Sequence, residues 1–65
     1  MQVGDLIQTI VEVEVAGSES GPLKGDTGMV LTVREQHAGL PRYEVYFPRS
    51  QKRFWLFEAE FKVLL

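Results

Sequence analysis

Between Arg42 and Phe57 the chain interleaves six aromatic rings (Tyr43, Tyr46, Phe47, Phe54, Trp55 and Phe57) with four basic side chains, Arg42, Arg49, Lys52 and Arg53. Side chains alternate between the two faces of a strand, so two short strands cannot bury all six rings on one side. If Val45, Phe47, Phe54 and Leu56 serve a core, Tyr46, Trp55 and Phe57 are expected to point outward. Exposed Trp, Tyr and Arg in one patch are the residue types of binding hot spots. The rings supply contact area, and guanidinium groups reach carboxylates with paired donors. Tyr46, Arg49, Lys52, Arg53, Trp55 and Phe57 are therefore the candidate partner-binding residues. The same mixture could stack on and neutralise a single nucleic-acid strand. The competing structural reading is that Trp55 and Phe57 cover a barrel end or its seam, because so small a domain needs each large apolar group it has.

Other chemistry finds little support. His37 stands in a polar loop between Gln36 and Ala38, where a solvated side chain is the simpler reading than a catalytic base. Ser18, Ser20 and Ser50 are turn serines, and none lies in a Gly-x-Ser-x-Gly setting. The pairs Glu12/Glu14 and Glu58/Glu60 have the residue type for acid–base work. They read more simply as the wet face of a strand and the polar face of a helical turn. The chain has no cysteine, which excludes disulfides and thiolate metal sites, and a single histidine cannot build a zinc cluster. Neither enzymatic activity nor a cofactor is expected.

The 65 residues suffice for one domain, spanning residues 1–65, with one modest core. Apolar residues make up 45% and charged residues 25%, which is the balance of a folded chain rather than a disordered one. The formal net charge is −2, and this weighs against a general nucleic-acid binder. The charge is unevenly spread, however. Residues 1–31 carry Asp5, Glu12, Glu14, Glu19 and Asp26 against Lys24, whereas residues 36–55 carry Arg42, Arg49, Lys52 and Arg53 against Glu44. Such asymmetry can place a positive patch on an acidic protein. No apolar run approaches the ~20 residues that span a bilayer, and the first residues show no signal-peptide pattern. A cytoplasmic setting without membrane contact is expected.

The elements that must position these residues are short strands. Val3-Gly4-Asp5 reads as an entry turn. From Leu6 to Ala16 the clearest alternation sets Val11, Val13 and Val15 against Glu12 and Glu14. Leu6 and Ile10 are out of phase with it, so a bulge or sharp bend is expected near Gln8-Thr9. Gly17 to Gly25 is a long connection in which Leu23 is expected to act as an apolar plug. Thr27–Arg34 is the next strand, Glu35–Pro41 a loop tip, and Arg42–Phe47 a third strand ended by Pro48, which cannot donate to a ladder. Arg49–Lys52 is expected to turn the chain into a fourth strand, Arg53–Phe57. Glu58-Ala59-Glu60 reads as one helical turn and Phe61–Leu65 as a fifth strand. Five short strands without a long helix indicate an all-β fold, and closure into a small barrel would remove the open edges.

The segment Gly21-Pro22-Leu23-Lys24-Gly25-Asp26-Thr27-Gly28-Met29-Val30 resembles the KOW pattern, a Gly-rich loop delivering a glycine and alternating valine. The opening Val3-Gly4-Asp5-Leu6 and the ending Trp55 to Leu64 are similar to the first-strand entry and the final strand–turn–strand of SH3-like barrels. The same landmarks occur in the variable chain of ferredoxin–thioredoxin reductase and in the small barrel subunit of photosystem I. The resemblance implies a small five-stranded SH3-like barrel of KOW type with one short helical turn before the last strand. Physically, Gly25 and Gly28 stand where a positive φ or a close backbone approach is needed, and Asp26 can cap the turn. A phosphate-binding loop is disfavoured, because these glycines open a strand and not a helix. The expected function is protein–protein interaction, as a non-enzymatic module or accessory subunit, with homodimerisation through the same patch as a variant of it. The alternative is a KOW-like RNA- or DNA-binding domain, which the acidic charge and the sparsely basic loop disfavour.

Overall fold

The computed structural model describes residues 2–13, 21–35 and 39–64. They form one five-stranded antiparallel sheet: β1 (Leu6–Thr9), β2 (Thr27–Arg34), β3 (Arg42–Phe47), β4 (Lys52–Phe57) and β5 (Phe61–Val63). A single 3-10 turn, Glu58–Glu60, separates β4 from β5. The strand order is β4-β3-β2-β1-β5, so the last strand returns beside the first. His37, Glu14, Val15, Ser18 and Ser20 lie outside the described residues.

The β-branched and aromatic content of β2, β3 and β4 suits a pleated, half-buried surface. In β3 the burial alternates without a break: Tyr43, Val45 and Phe47 face the core, while Arg42, Glu44 and Tyr46 face outward. Phe54 and Leu56 continue that core from β4, joined by Ile7, Val13, Val30 and Phe61. Tyr43 and Phe61 meet edge to face, with centroids 5.4 Å apart. They belong to β3 and β5, which two strands separate in the sheet order. The sheet therefore curls over its own core rather than lying flat, as strand twist favours.

Several expectations for the first half of the chain are corrected. The strand after the entry turn ends at Thr9, not at Ala16, and the chain bends at Ile10–Val11. Val13 is buried as expected, but Val11 is exposed, because the residues between them are not extended in a ladder. The expected bulge or bend near Gln8-Thr9 is a bend, one residue further on at Ile10–Val11, and the register irregularity lies in β2, between Val30 and Thr32. Leu23 is not a plug: its side chain is 48% exposed. Its backbone pins the loop instead. Thr9 Oγ1 donates to the Leu23 carbonyl, and Leu23 N–H donates to Asp26 Oδ2 at 3.0 Å. Pro22 takes the buried place beside it.

The β3–β4 hairpin turns one residue earlier than expected. Its loop is Pro48–Gln51, and Lys52 already pairs with Phe47. Gln51 N–H donates to the Phe47 carbonyl at 2.8 Å, and Gln51 takes a left-handed φ of 57° to close the loop. At the other end of β4, Glu60 Oε1 accepts from Phe57 N–H at 2.7 Å. That bond holds the 3-10 turn and engages one of the carboxylates considered for acid–base work. Among the described residues no helix is long and apolar enough to cross a membrane.

Candidate functional site: an arginine–tryptophan face

The outward faces of β2, β3 and β4 form one surface, ordered by cross-strand pairing. Met29, Tyr46 and Arg53 make one row, Thr32, Glu44 and Trp55 the next, and Arg34, Arg42 and Phe57 the third. The bulge in β2 builds the third row. Met29 faces outward before it and Val30 inward. Beyond the skipped residue Leu31, Thr32 and Arg34 face outward and Val33 packs inward against the core. In an unbroken strand Arg34 would share its face with Val30.

Trp55 gathers two of the arginines of this surface over its ring. The Arg34 guanidinium lies 5.3 Å from its ring centroid and that of Arg42 lies 5.5 Å away. Arg42 also stands 5.7 Å from the Phe57 ring. These distances are within cation–π range. Phe57 is 43% exposed, so it does not seal the core, whereas Trp55 is half-buried beneath the arginines. Arg34 and Arg42 are directly opposite each other in the ladder. Like charges in that relation oppose pairing, and the contact each guanidinium makes with the indole ring offsets part of the repulsion. Among the described residues neither guanidinium has an ion-pair partner, and the covered Nε of Arg42 has no hydrogen-bond acceptor.

Glu44 is the single acid on these three rows. It accepts from the Thr32 hydroxyl at 3.1 Å and pairs with Arg53 at 3.8 Å. Three arginines against one glutamate make the face locally positive on a chain whose net charge is −2.

The structure thus brings together Tyr46, Arg53, Trp55 and Phe57 and separates Arg49 and Lys52 from them. Lys52 falls on the alternate side of β4, opposite Phe47. Arg49 turns toward the loop before β2, where its Nε and Nη2 hold the two Asp26 carboxylate oxygens at 2.9 and 2.8 Å. There it borders a shallow groove of about 400 Å³ with Leu6, Met29 and Pro48. Arg34 is the residue that sequence reasoning missed. Its signal was weak, since it lies outside the dense 42–57 cluster and reaches the face only through the bulge.

The Arg49 bond, seconded by Leu23 N–H and the Arg49 charge, holds the Asp26 carboxyl below its ordinary value, although burial works the other way. A depressed folded-state value adds stability above the unfolded value, about 4. That contribution is lost as pH falls through the folded value. Asp26→Asn is therefore expected to be less stable than the native chain at pH 7, with the difference shrinking below about pH 4. Urea unfolding of both proteins across that range checks it; a difference independent of pH would refute the assignment.

No family model, curated protein or solved structure matches this chain. Among the described residues no group of three or more His, Asp or Glu side chains is placed to hold a metal ion.

Proposed function

We propose that the chain is a non-enzymatic protein-interaction module that docks a partner on the β2–β4 face. The observation that carries this reading is Trp55 under two guanidinium groups that have no carboxylate partner among the described residues, beside an exposed Phe57. Arg and Trp in that arrangement combine a hydrophobic anchor with donors for acidic groups. Tyr46 and Arg53 extend the face toward the hairpin loop, and a second copy of the chain is one partner it could take. We further propose that the curled sheet is a closed SH3-like barrel of KOW type. The return of β5 beside β1 and the Tyr43–Phe61 contact support that reading.

Immobilised native chain is expected to retain a specific protein from an extract of its source, and Trp55→Ala and Arg53→Glu to retain less of it. Equal retention by all three, or none by the native chain, removes the proposal. Nucleic-acid binding is the second reading, favoured by the same stack of arginines on an aromatic ring. It requires an oligonucleotide affinity that falls steeply with salt; no binding at low salt eliminates it.

A further inference from the structure

We infer that the Arg34/Arg42 pair is a seat for a carboxylate of an acidic peptide segment, with Trp55 as its floor. The inference rests on the docking reading above and names the chemistry of its partner.

The first argument is charge. A ladder that sets two arginines directly opposite one another holds two positive groups where like charges disfavour pairing. Elsewhere in the described residues the exposed arginines meet acids: Arg49 has Asp26 and Arg53 has Glu44. Among the described residues Arg34 and Arg42 have only rings as side-chain partners. A guanidinium carries five donors in a planar fork, and neither of these two is oriented by a hydrogen bond among the described residues. An anion between them would relieve the repulsion and engage the idle donors together.

The second argument is the surroundings. The third row ends at Phe57, and the chain on either side of it supplies a shallow hollow of about 320 Å³ lined by Leu40, Pro41, Glu58 and Ala59. Leu40 is among the most exposed apolar side chains described. A ligand placing its charge on the arginines would thus find an apolar rest for a neighbouring side chain. A nucleic-acid backbone fits less well. Its phosphates repeat along the strand, whereas here the positive pair is flanked by Glu35 next to Arg34, Glu44 in the neighbouring row and Glu58 beyond Phe57. One carboxylate flanked by apolar residues avoids those acids, and a run of phosphates does not.

Trp55 is the single tryptophan in the chain, so its fluorescence reports the site without labelling. The probe is a synthetic peptide with one Glu flanked by leucines in an otherwise uncharged, capped Gly/Ser sequence, and the control is the same peptide with Gln for Glu. The acidic peptide is expected to change Trp55 emission saturably, with at least about tenfold weaker binding for the Gln control and for Arg34→Gln or Arg42→Gln, the size of one charge-assisted contact. Arg49→Gln, remote from the seat, is expected to bind within about twofold of the native chain. The indole N–H resonance of the native protein gives a second reading that depends on no variant folding. Equal affinity for both peptides, or no response to the acidic one at millimolar concentration, overturns the inference. So does a single-stranded oligonucleotide that binds more tightly than the peptide and displaces it. If Trp55→Ala loses the partner of the docking experiment while Arg34→Gln and Arg42→Gln keep it, the carboxylate seat fails and the docking face stands.

Discussion

Gly28→Ala is expected to abolish cooperative folding at room temperature. The methyl group that alanine adds would lie 2.5 Å from Val45 Cγ1, 2.9 Å from the Tyr46 carbonyl oxygen and 3.0 Å from Phe47 Cε1. Two of these neighbours are fully buried core side chains, and the third is backbone within β3. None is the free end of a flexible chain, so the β2–β3 pair itself would have to separate. Overpacking of this kind costs about 1–3 kcal/mol, and more where backbone must move. A domain of this size has only a few kcal/mol in total. Val45→Ala removes the shortest contact but leaves the carbonyl, so the double variant is expected to stay unfolded. Far-UV circular dichroism and urea titration measure both. A cooperative transition for Gly28→Ala at the native midpoint would show that the strands can part without cost.

The second large effect is expected at Thr9, the one polar residue among the fully buried side chains of the described residues, 2% exposed. Its hydroxyl donates to the Leu23 carbonyl and accepts from Asp26 N–H at 3.0 Å. Its backbone adds two bonds to the same loop: Thr9 N–H to the Asp26 carbonyl and Gly25 N–H to the Thr9 carbonyl, each 2.9 Å. Asp26 then carries the connection on to Arg49 in the hairpin loop. Thr9→Val keeps shape and volume but removes the hydroxyl. The loop retains its own Asp26 N–H to Leu23 carbonyl bond at 3.1 Å, which bounds the loss at about 1–3 kcal/mol. Thr9→Ser keeps both hydroxyl bonds and forfeits one buried methyl, about 0.8 kcal/mol. Urea unfolding is therefore expected to rank native, Ser, Val, and amide exchange at Gly25 and Asp26 to accelerate in Val alone. A Val variant at least as stable as Ser would mean that the hydroxyl bonds do not hold the loop.

Much of the second half of the chain was legible. The bounds of β2 and β3 match the expectation residue for residue, because β-branched and aromatic residues alternate between clear breakers. Pro48 follows the end of β3, and Glu58-Ala59-Glu60 makes its helical turn. Gly25 adopts a φ of +88° and Gly28 sits in close backbone contact, the two uses foreseen for them. The first half was less legible. Val11 and Val13 share a sequence phase, but the chain leaves the ladder after Thr9, so phase no longer determines burial. Thr9 gave no signal of its role, because the Leu23 and Asp26 groups it holds are 14 and 17 residues away.

For the candidate site the division is similar. Tyr46, Arg53, Trp55 and Phe57 share a face because two paired strands carry a local period of two, which composition and spacing disclose. Lys52 was separated from them by the same parity once the hairpin loop closed one residue earlier. Arg49 was removed from the face by Asp26, a partner 23 residues away. What the chain determines by itself is therefore the identity of the strands and the sidedness of β3 and β4, since both are properties of neighbouring residues. The position of Arg34 is different. Parity alone puts it with Val30 in the core, and the bulge between Val30 and Thr32 puts it outside, against Trp55 and opposite Arg42. A bulge is two residues facing one across a ladder, so it exists only when the partner strand is in place. The tertiary structure alone decided it, and with it the pair of arginines on which the proposed carboxylate seat depends.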